Sequence, residues 1–213
     1  MFKILEKQDL TPVLRMYVMD APEIARKAQP GQFVIVRLDE EGERIPLTIA
    51  DFDRDQGTVT LVVQEVGAST RLMGLLNTGD AIRDLVGPLG RPSEIERYGT
   101  VICVGGGVGI APIYPIARAL KEQGNRVISI IGARSQNLLF WEDKMRAISD
   151  ELIVCTDDGS YGRFALVTAP LKELLESGNG CDLVFAIGPA IMMKFSCKTT
   201  QPFGVKTLVS INS

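Results

Sequence analysis

The chain is predicted to be a β + α/β protein: an N-terminal antiparallel β-barrel over 1–98, then a parallel five-stranded α/β domain over 99–213. Three observations predict it. The first half alternates on a short period and breaks often at turn residues. The second half alternates apolar strand-like runs with amphipathic helical ones, the pattern of a parallel sheet with helices on both faces. At the junction of the first such strand and helix stands a glycine cluster, Gly105, Gly106, Gly107, Val108, Gly109, Ile110, Ala111 and Pro112.

In the first half, residues 13–18, 32–37 and 58–63 read as strands rich in β-branched side chains. Turn signals separate them at Gln29–Gly31, Glu41–Glu43, Asp55–Gly57 and Asn77–Asp80, and a short helix is expected near 69–76. Residues 87–92, with two glycines and two prolines, read as a linker. In the second half strands are expected at 100–104, 126–132, 151–156, 182–187 and 205–211. Helices are expected near 112–123, 138–147, 165–177 and 190–199.

Composition narrows the chemistry. The net charge of −3 and the lack of a basic run argue against nucleic acid or an anionic membrane as partners. No apolar stretch approaches the roughly 20 residues that span a bilayer, and residues 1–6 are too charged for a signal peptide, so a cytoplasmic location is expected. Cys103, Cys155, Cys181 and Cys197 lie far apart with no C-x-x-C pair, so sequence neighbours build no zinc or iron–sulfur site. Cys103 and Cys155 read as small buried hydrophobes on strands. The chain has no histidine, which removes the usual general base near neutral pH. A bound cofactor is the expected source of chemistry.

Glycines at a strand–helix turn let backbone approach a pyrophosphate, and the following helix offers unpaired N–H groups and a positive dipole end. Tight strand–helix packing is the competing explanation for such a cluster. The spacing departs from G-x-G-x-x-G, and Pro112 occupies the first helical turn, where its missing N–H costs nothing. Three further strand ends carry unusual residues: 132–135, 156–162 and 187–189. In a parallel sheet all four share the edge where ligands bind. There Arg134 pairs with a phosphate, stacks on an adenine or is solvated. No acidic residue ends its strand, the usual NAD signal, and Arg134 with Ser135 tolerates a 2′-phosphate. Asp157 and Asp158 suit ribose hydroxyls or capping of the next turn better than a metal. Gly188 and Pro189, at a helix start, leave room for a planar ring, while Met192 and Met193 pack inward. In the barrel half, Arg44, Ile45, Pro46, Leu47 and Thr48 form one candidate segment. Val62, Val63, Gln64, Gly67, Ser69 and Thr70 form a second, where Ser69 and Thr70 either cap a helix or border a pyrophosphate.

Together, the Arg-x-Pro-x-Thr segment, the Gly-x-Ser-Thr helix start, the glycine loop and the late Gly-Pro resemble the ferredoxin–NADP reductase superfamily. Within it the likeness is to the branch containing dihydroorotate dehydrogenase electron-transfer subunits and the small subunits of NADH-dependent ferredoxin:NADP oxidoreductase (sulfide dehydrogenase subunit beta). Residues 156–162 and 188–193 carry it, with 198–204 resembling the second group. The resemblance implies FAD on residues 45–48, 62–64, Gly67, Ser69 and Thr70, with Thr48 near flavin N5 as the catalytic position and Leu47 on the isoalloxazine. It implies NAD(P) on 105–112, Arg134, Asp157, Asp158, Gly188 and Pro189. Ile45 holds the slot where plant-type relatives carry Arg, so the place of Arg44 on a phosphate is less direct. The implied partners are a larger flavoprotein or iron–sulfur subunit and, indirectly, ferredoxin. Members of this branch continue into a cysteine-rich segment binding a [2Fe-2S] cluster, and the chain stops at Ser213 before one, which reads as truncation in preference to loss of the cluster. The implied activity is flavin-dependent electron transfer between NAD(P)H, FAD and a partner subunit. A nucleotide-binding docking or regulatory subunit without turnover is the alternative from another class.

Overall fold

A computed structural model describes residues 1–178 and 180–210, and the end of the strand expected at 205–211 lies outside them. The chain divides into two compact units, Met1–Ser93 and Glu94–Ser213. The first unit contains β1 (Phe2–Thr11), β2 (Leu14–Asp20), α1 (Pro22–Lys27), β3 (Phe33–Arg37), β4 (Ile45–Asp53), β5 (Thr58–Gln64), α2 (Ala68–Gly74), β6 (Ala81–Ile82) and β7 (Asp84–Leu89). Its strands form one antiparallel sheet in the order β6-β1-β2-β5-β4-β3-β7. The two end strands are separated in sequence by Arg83 alone, so the chain itself draws the sheet's edges together into a nearly closed barrel. Inward-facing Tyr17, Met19, Val34, Val36, Ile49, Val59, Leu61 and Val63 fill it. Ile24 and Ala25 of α1 join the same core. That helix was not expected from the sequence, although Pro22 at its first position and Glu23 before Arg26 and Lys27 mark its polarity.

The predicted linker at 87–92 is corrected by the structure. Gly87–Leu89 complete β7, which pairs with β3 through Phe33↔Leu89 and Ile35↔Val86. Proline is tolerated there because β7 ends the sheet order. Gly87 is needed because a Cβ would lie 2.7 Å from Val34 Cγ1. The chain leaves the barrel unit only after Ser93.

The second unit contains β8 (Thr100–Gly106), α3 (Ile110–Glu122), β9 (Arg126–Ala133), α4 (Glu142–Ile148), β10 (Glu151–Thr156), β11 (Arg163–Phe164), α5 (Thr168–Glu176), β12 (Leu183–Ile187), α6 (Ala190–Thr200) and β13 (Lys206–Val209). Its sheet is parallel, in the order β11-β10-β9-β8-β12-β13. It has six strands rather than the expected five, because the two-residue β11 is too short to leave a periodic signal. Alternation along β8 sorts the faces: Ile102 and Val104 share a core with Val167 and Leu171 of the α5 segment. A Cβ on Gly105 would instead meet Ile110 and Ile113 of α3. Cys103 and Cys155 are fully buried on strands, as expected, and burial pushes the Cys103 thiol up to about 12.

Candidate functional site

In the barrel unit, the β4–β5 ladder runs from Asp53↔Thr58 to Ile49↔Leu61 and stops. Both strands continue, each paired to its other neighbour: Ile45–Thr48 along β3, and Val62–Gln64 along β2. The two segments singled out in the sequence therefore flank a gap in the ladder. The pleat assigns their faces. Ile45 and Leu47 pack against the barrel core, as Val63 does, so Pro46 and Thr48 alternate to the other face of β4, which Arg44 precedes. Leu47, expected on a flavin ring, packs partly buried against the barrel core, and Pro46 and Thr48 lie on the other face of the strand. Arg44 and Pro46 are exposed and Thr48 is half-buried; on β5, Val62 is buried and Gln64 exposed.

Helix α2 begins after Gly67, not at Ser69. The Thr70 hydroxyl accepts the Val66 and Gly67 N–H groups at 3.1 and 3.0 Å, so its role here is capping. Ser69 donates to Glu43 Oε2 at 2.7 Å, tying the β3–β4 loop to the helix start. At the other end of α2, the carbonyl of Met73 accepts the Tyr17 hydroxyl at 2.8 Å and that of Gly74 accepts Lys7 Nζ at 2.6 Å.

In the second unit the strand order reverses at β8 and β12, and ligands of open parallel sheets bind beyond the carboxyl ends at such a reversal. The glycine loop leaves β8 there, makes one 3-10 turn at Gly107–Gly109 and enters α3. Pro112 is third in that helix, within the first turn that has no intrahelical acceptor for its missing N–H. The loop lies directly on Gly188. A Cβ at Gly109 would come 2.2 Å from the Ile187 carbonyl oxygen, and one at Gly188 would come 2.9 Å from that of Gly106. At Gly106 it would meet Met192 Sδ at 2.3 Å. Met193 is buried and Met192 packs partly buried on the α5 side of the sheet. Gly105, Gly106 and Gly109 thus serve close packing. Gly107 differs: at φ +55° its Cβ would meet nothing within 4 Å. It is the open position of the loop, with Val108 exposed beside it.

Arg134, Asp157, Asp158 and Pro189 are exposed at the same carboxyl edge, and Gly188 is half-buried. The Asp157 and Asp158 N–H groups donate to the carbonyls of Ala133 and Arg134 at 3.0 and 3.1 Å. Asp158 Oδ1 accepts both the N–H and the hydroxyl of Ser160 at 2.9 and 2.6 Å, which holds its carboxyl below the usual range. Its role in the structure is turn capping. Ser160, inside the 156–162 segment singled out in the sequence, and Gln136 complete this linkage; neither reads as a candidate site residue, because the sequence does not show that the two loops meet. Among the described residues, no three His, Cys, Asp or Glu side chains are grouped to hold a metal ion. No helix among them is long and apolar enough to cross a membrane.

No protein-family model matches the chain. It is 46% identical over 210 residues to a dihydroorotate dehydrogenase B (NAD(+)) electron-transfer subunit homologue of Thermotoga maritima, covering 99% of this chain and 74% of that protein. The chain belongs to the electron-transfer subunit family of dihydroorotate dehydrogenase B. A member from Fusobacterium nucleatum is 34% identical over 172 residues, spanning 78% of this chain and 66% of that one. Among solved structures, a chain of an NADH-dependent reduced ferredoxin–NADP oxidoreductase, described in relation to flavin-based electron bifurcation, superposes with a TM-score of 0.92. It is 45% identical over 99% of this chain and 75% of its own length. The barrel followed by a parallel sheet is the fold of ferredoxin–NADP reductases, and this electron-transfer subunit has it.

Proposed function

We propose that the chain is the flavin- and nicotinamide-binding part of an oxidoreductase complex, with FAD on the barrel unit and NAD(P)H on the parallel-sheet unit. The observation that carries the reading is 45% identity over almost the whole chain to a protein of flavin-based electron bifurcation. FAD, when bound, supplies the step between two-electron hydride chemistry and single-electron delivery. The residues fit that cofactor. Where the β4–β5 ladder ends, backbone polar groups of 45–48 and 62–64 border an opening, and the Thr48 hydroxyl lies on the non-core face to hold a ring edge. Arg44, exposed just before β4, suits a diphosphate.

For the nucleotide, Gly107 leaves the loop free of a side chain where the backbone enters the thirteen-residue α3. The N–H groups and dipole of that helix favour a diphosphate. The protein's task is orientation rather than acid–base chemistry, which accords with a chain lacking histidine. Electrons would leave to a partner subunit of the complex, with ferredoxin an indirect partner.

Gly107→Asp tests the nucleotide half. No neighbour lies within 4 Å of the new Cβ, so the fold is retained, and Asp tolerates positive φ better than most residues. Calorimetry is expected to show NADH and NADPH binding lost while FAD binds as in wild type. Unchanged nucleotide binding would remove the glycine loop from the site. The Thermotoga maritima similarity favours a second acceptor, a dihydroorotate dehydrogenase catalytic subunit. Co-purification of that subunit rather than a larger iron–sulfur flavoprotein would select it.

A further inference from the structure

Beyond the carboxyl ends of β9 and β10, one hydroxyl joins two loops. Ser160 Oγ accepts the Gln136 N–H at 2.8 Å and donates to Asp158 Oδ1 at 2.6 Å. Asp158 also accepts the Ser160 N–H at 2.9 Å, while its own N–H donates to the Arg134 carbonyl at 3.1 Å. The backbone around Arg134 is therefore tied at residue 133 by the Asp157 N–H, at residue 134 by the Asp158 N–H and at residue 136 by Ser160. Serine offers one donor and two acceptor sites, so a single hydroxyl can make both connections. Arg134 itself stays exposed at the rim, with a guanidinium suited to a phosphate or an adenine face.

We propose that Ser160 and Asp158 are a positioning pair that holds Arg134 against the adenosine end of the nicotinamide nucleotide. The inference rests on the nucleotide reading above and assigns roles within it. Asp158 acts through the turn and not as a ribose ligand. Ser160, which no ligand need touch, sets nucleotide affinity through Arg134. Loss of the hydroxyl frees the Gln136 N–H and one side of the Asp158 carboxylate, and the Arg134 segment loses its tether at residue 136.

The test is a double-mutant cycle on the FAD-supplemented chain, with ADP-ribose and 2′-phospho-ADP-ribose as calorimetric probes. The two probes separate a 2′-hydroxyl from a 2′-phosphate ligand. Ser160→Ala is expected to weaken the tighter-binding probe about fivefold, yet less than about twofold when Arg134→Ala is already present. Ser160→Thr, which keeps the hydroxyl, restores binding. A purely structural role would give the same loss in both backgrounds, and that result, or wild-type affinity in Ser160→Ala, overturns the proposal. Wild-type chain binding neither probe would instead overturn the nucleotide reading. Should Ser160→Ala fail to fold, Asp158→Ala, which removes the acceptor of the Ser160 hydroxyl and N–H, carries the same cycle.

Discussion

Gly107 and Gly109 stand two positions apart and answer to different physics. A Cβ at Gly109 would meet the Ile187 carbonyl oxygen at 2.2 Å, a backbone atom that cannot swing away. Gly107 is bound only by its positive φ. Gly109→Ala is accordingly expected to cost about 1–3 kcal/mol or more by overpacking, and Gly107→Ala about 1 kcal/mol by conformation. Denaturant unfolding checks both, and equal costs would contradict the distinction. Sequence alone marks the cluster as special without sorting it. Ligand approach and tight packing both call for glycine, and only the neighbouring β12 backbone tells them apart. Leu47 teaches the same lesson: the motif located the segment, but the pleat decided which residues face the core.

At the scale of elements, two polar anchors hold the site-bearing segments. Asn125 is buried and its side chain makes four hydrogen bonds: its Oδ1 accepts the Tyr98 and Gly99 N–H groups at 2.7 and 3.1 Å, and its Nδ2 donates to Glu96 and Leu120 carbonyls, both at 2.8 Å. It fastens the segment before β8 to the end of α3, which is why residues 94–98 go with the second unit rather than the barrel. Asn125→Ala is expected to destabilise that unit by about 1–3 kcal/mol, since the backbone groups of Glu96, Tyr98, Gly99 and Leu120 lose this partner. Faster amide exchange at Tyr98 and Gly99 would accompany it; protection as in wild type would contradict this account. In the barrel, Tyr17 is buried and holds the last turn of α2 through the Met73 carbonyl. Burial, followed by the nearby Glu65 charge, pushes its phenol from 10.0 up to about 12. The folded chain therefore keeps a proton that the unfolded chain releases between those values, so this contribution is complete below pH 10 and lost as pH rises toward 12. Tyr17→Phe is expected to lower stability by about 1–3 kcal/mol at neutral pH. The gap to wild type should narrow from pH 10 upward, and a constant gap would sink the assignment. The long apolar strands were legible because burial on both faces leaves continuous β-branched runs. The charged β1, the six-residue α1 and the two-residue β11 were not, because tertiary pairing rather than local pattern makes them.

For the molecule as a whole, the division into barrel and parallel sheet was readable from the change of rhythm, and the ordered sheet places four strand ends on one edge. The β4–β5 gap was not readable, since where a ladder stops depends on how three strands share their partners. The proposed function joins these features into one claim, that this chain binds a flavin and accepts electrons from a nicotinamide nucleotide. The most direct test is an anaerobic visible spectrum of the purified chain supplemented with FAD and freed of unbound flavin, recorded before and after NADH and then NADPH. The account predicts one retained flavin whose bands bleach with at least one of the two nucleotides. A chain that retains no flavin, or whose retained flavin neither nucleotide bleaches, would contradict it.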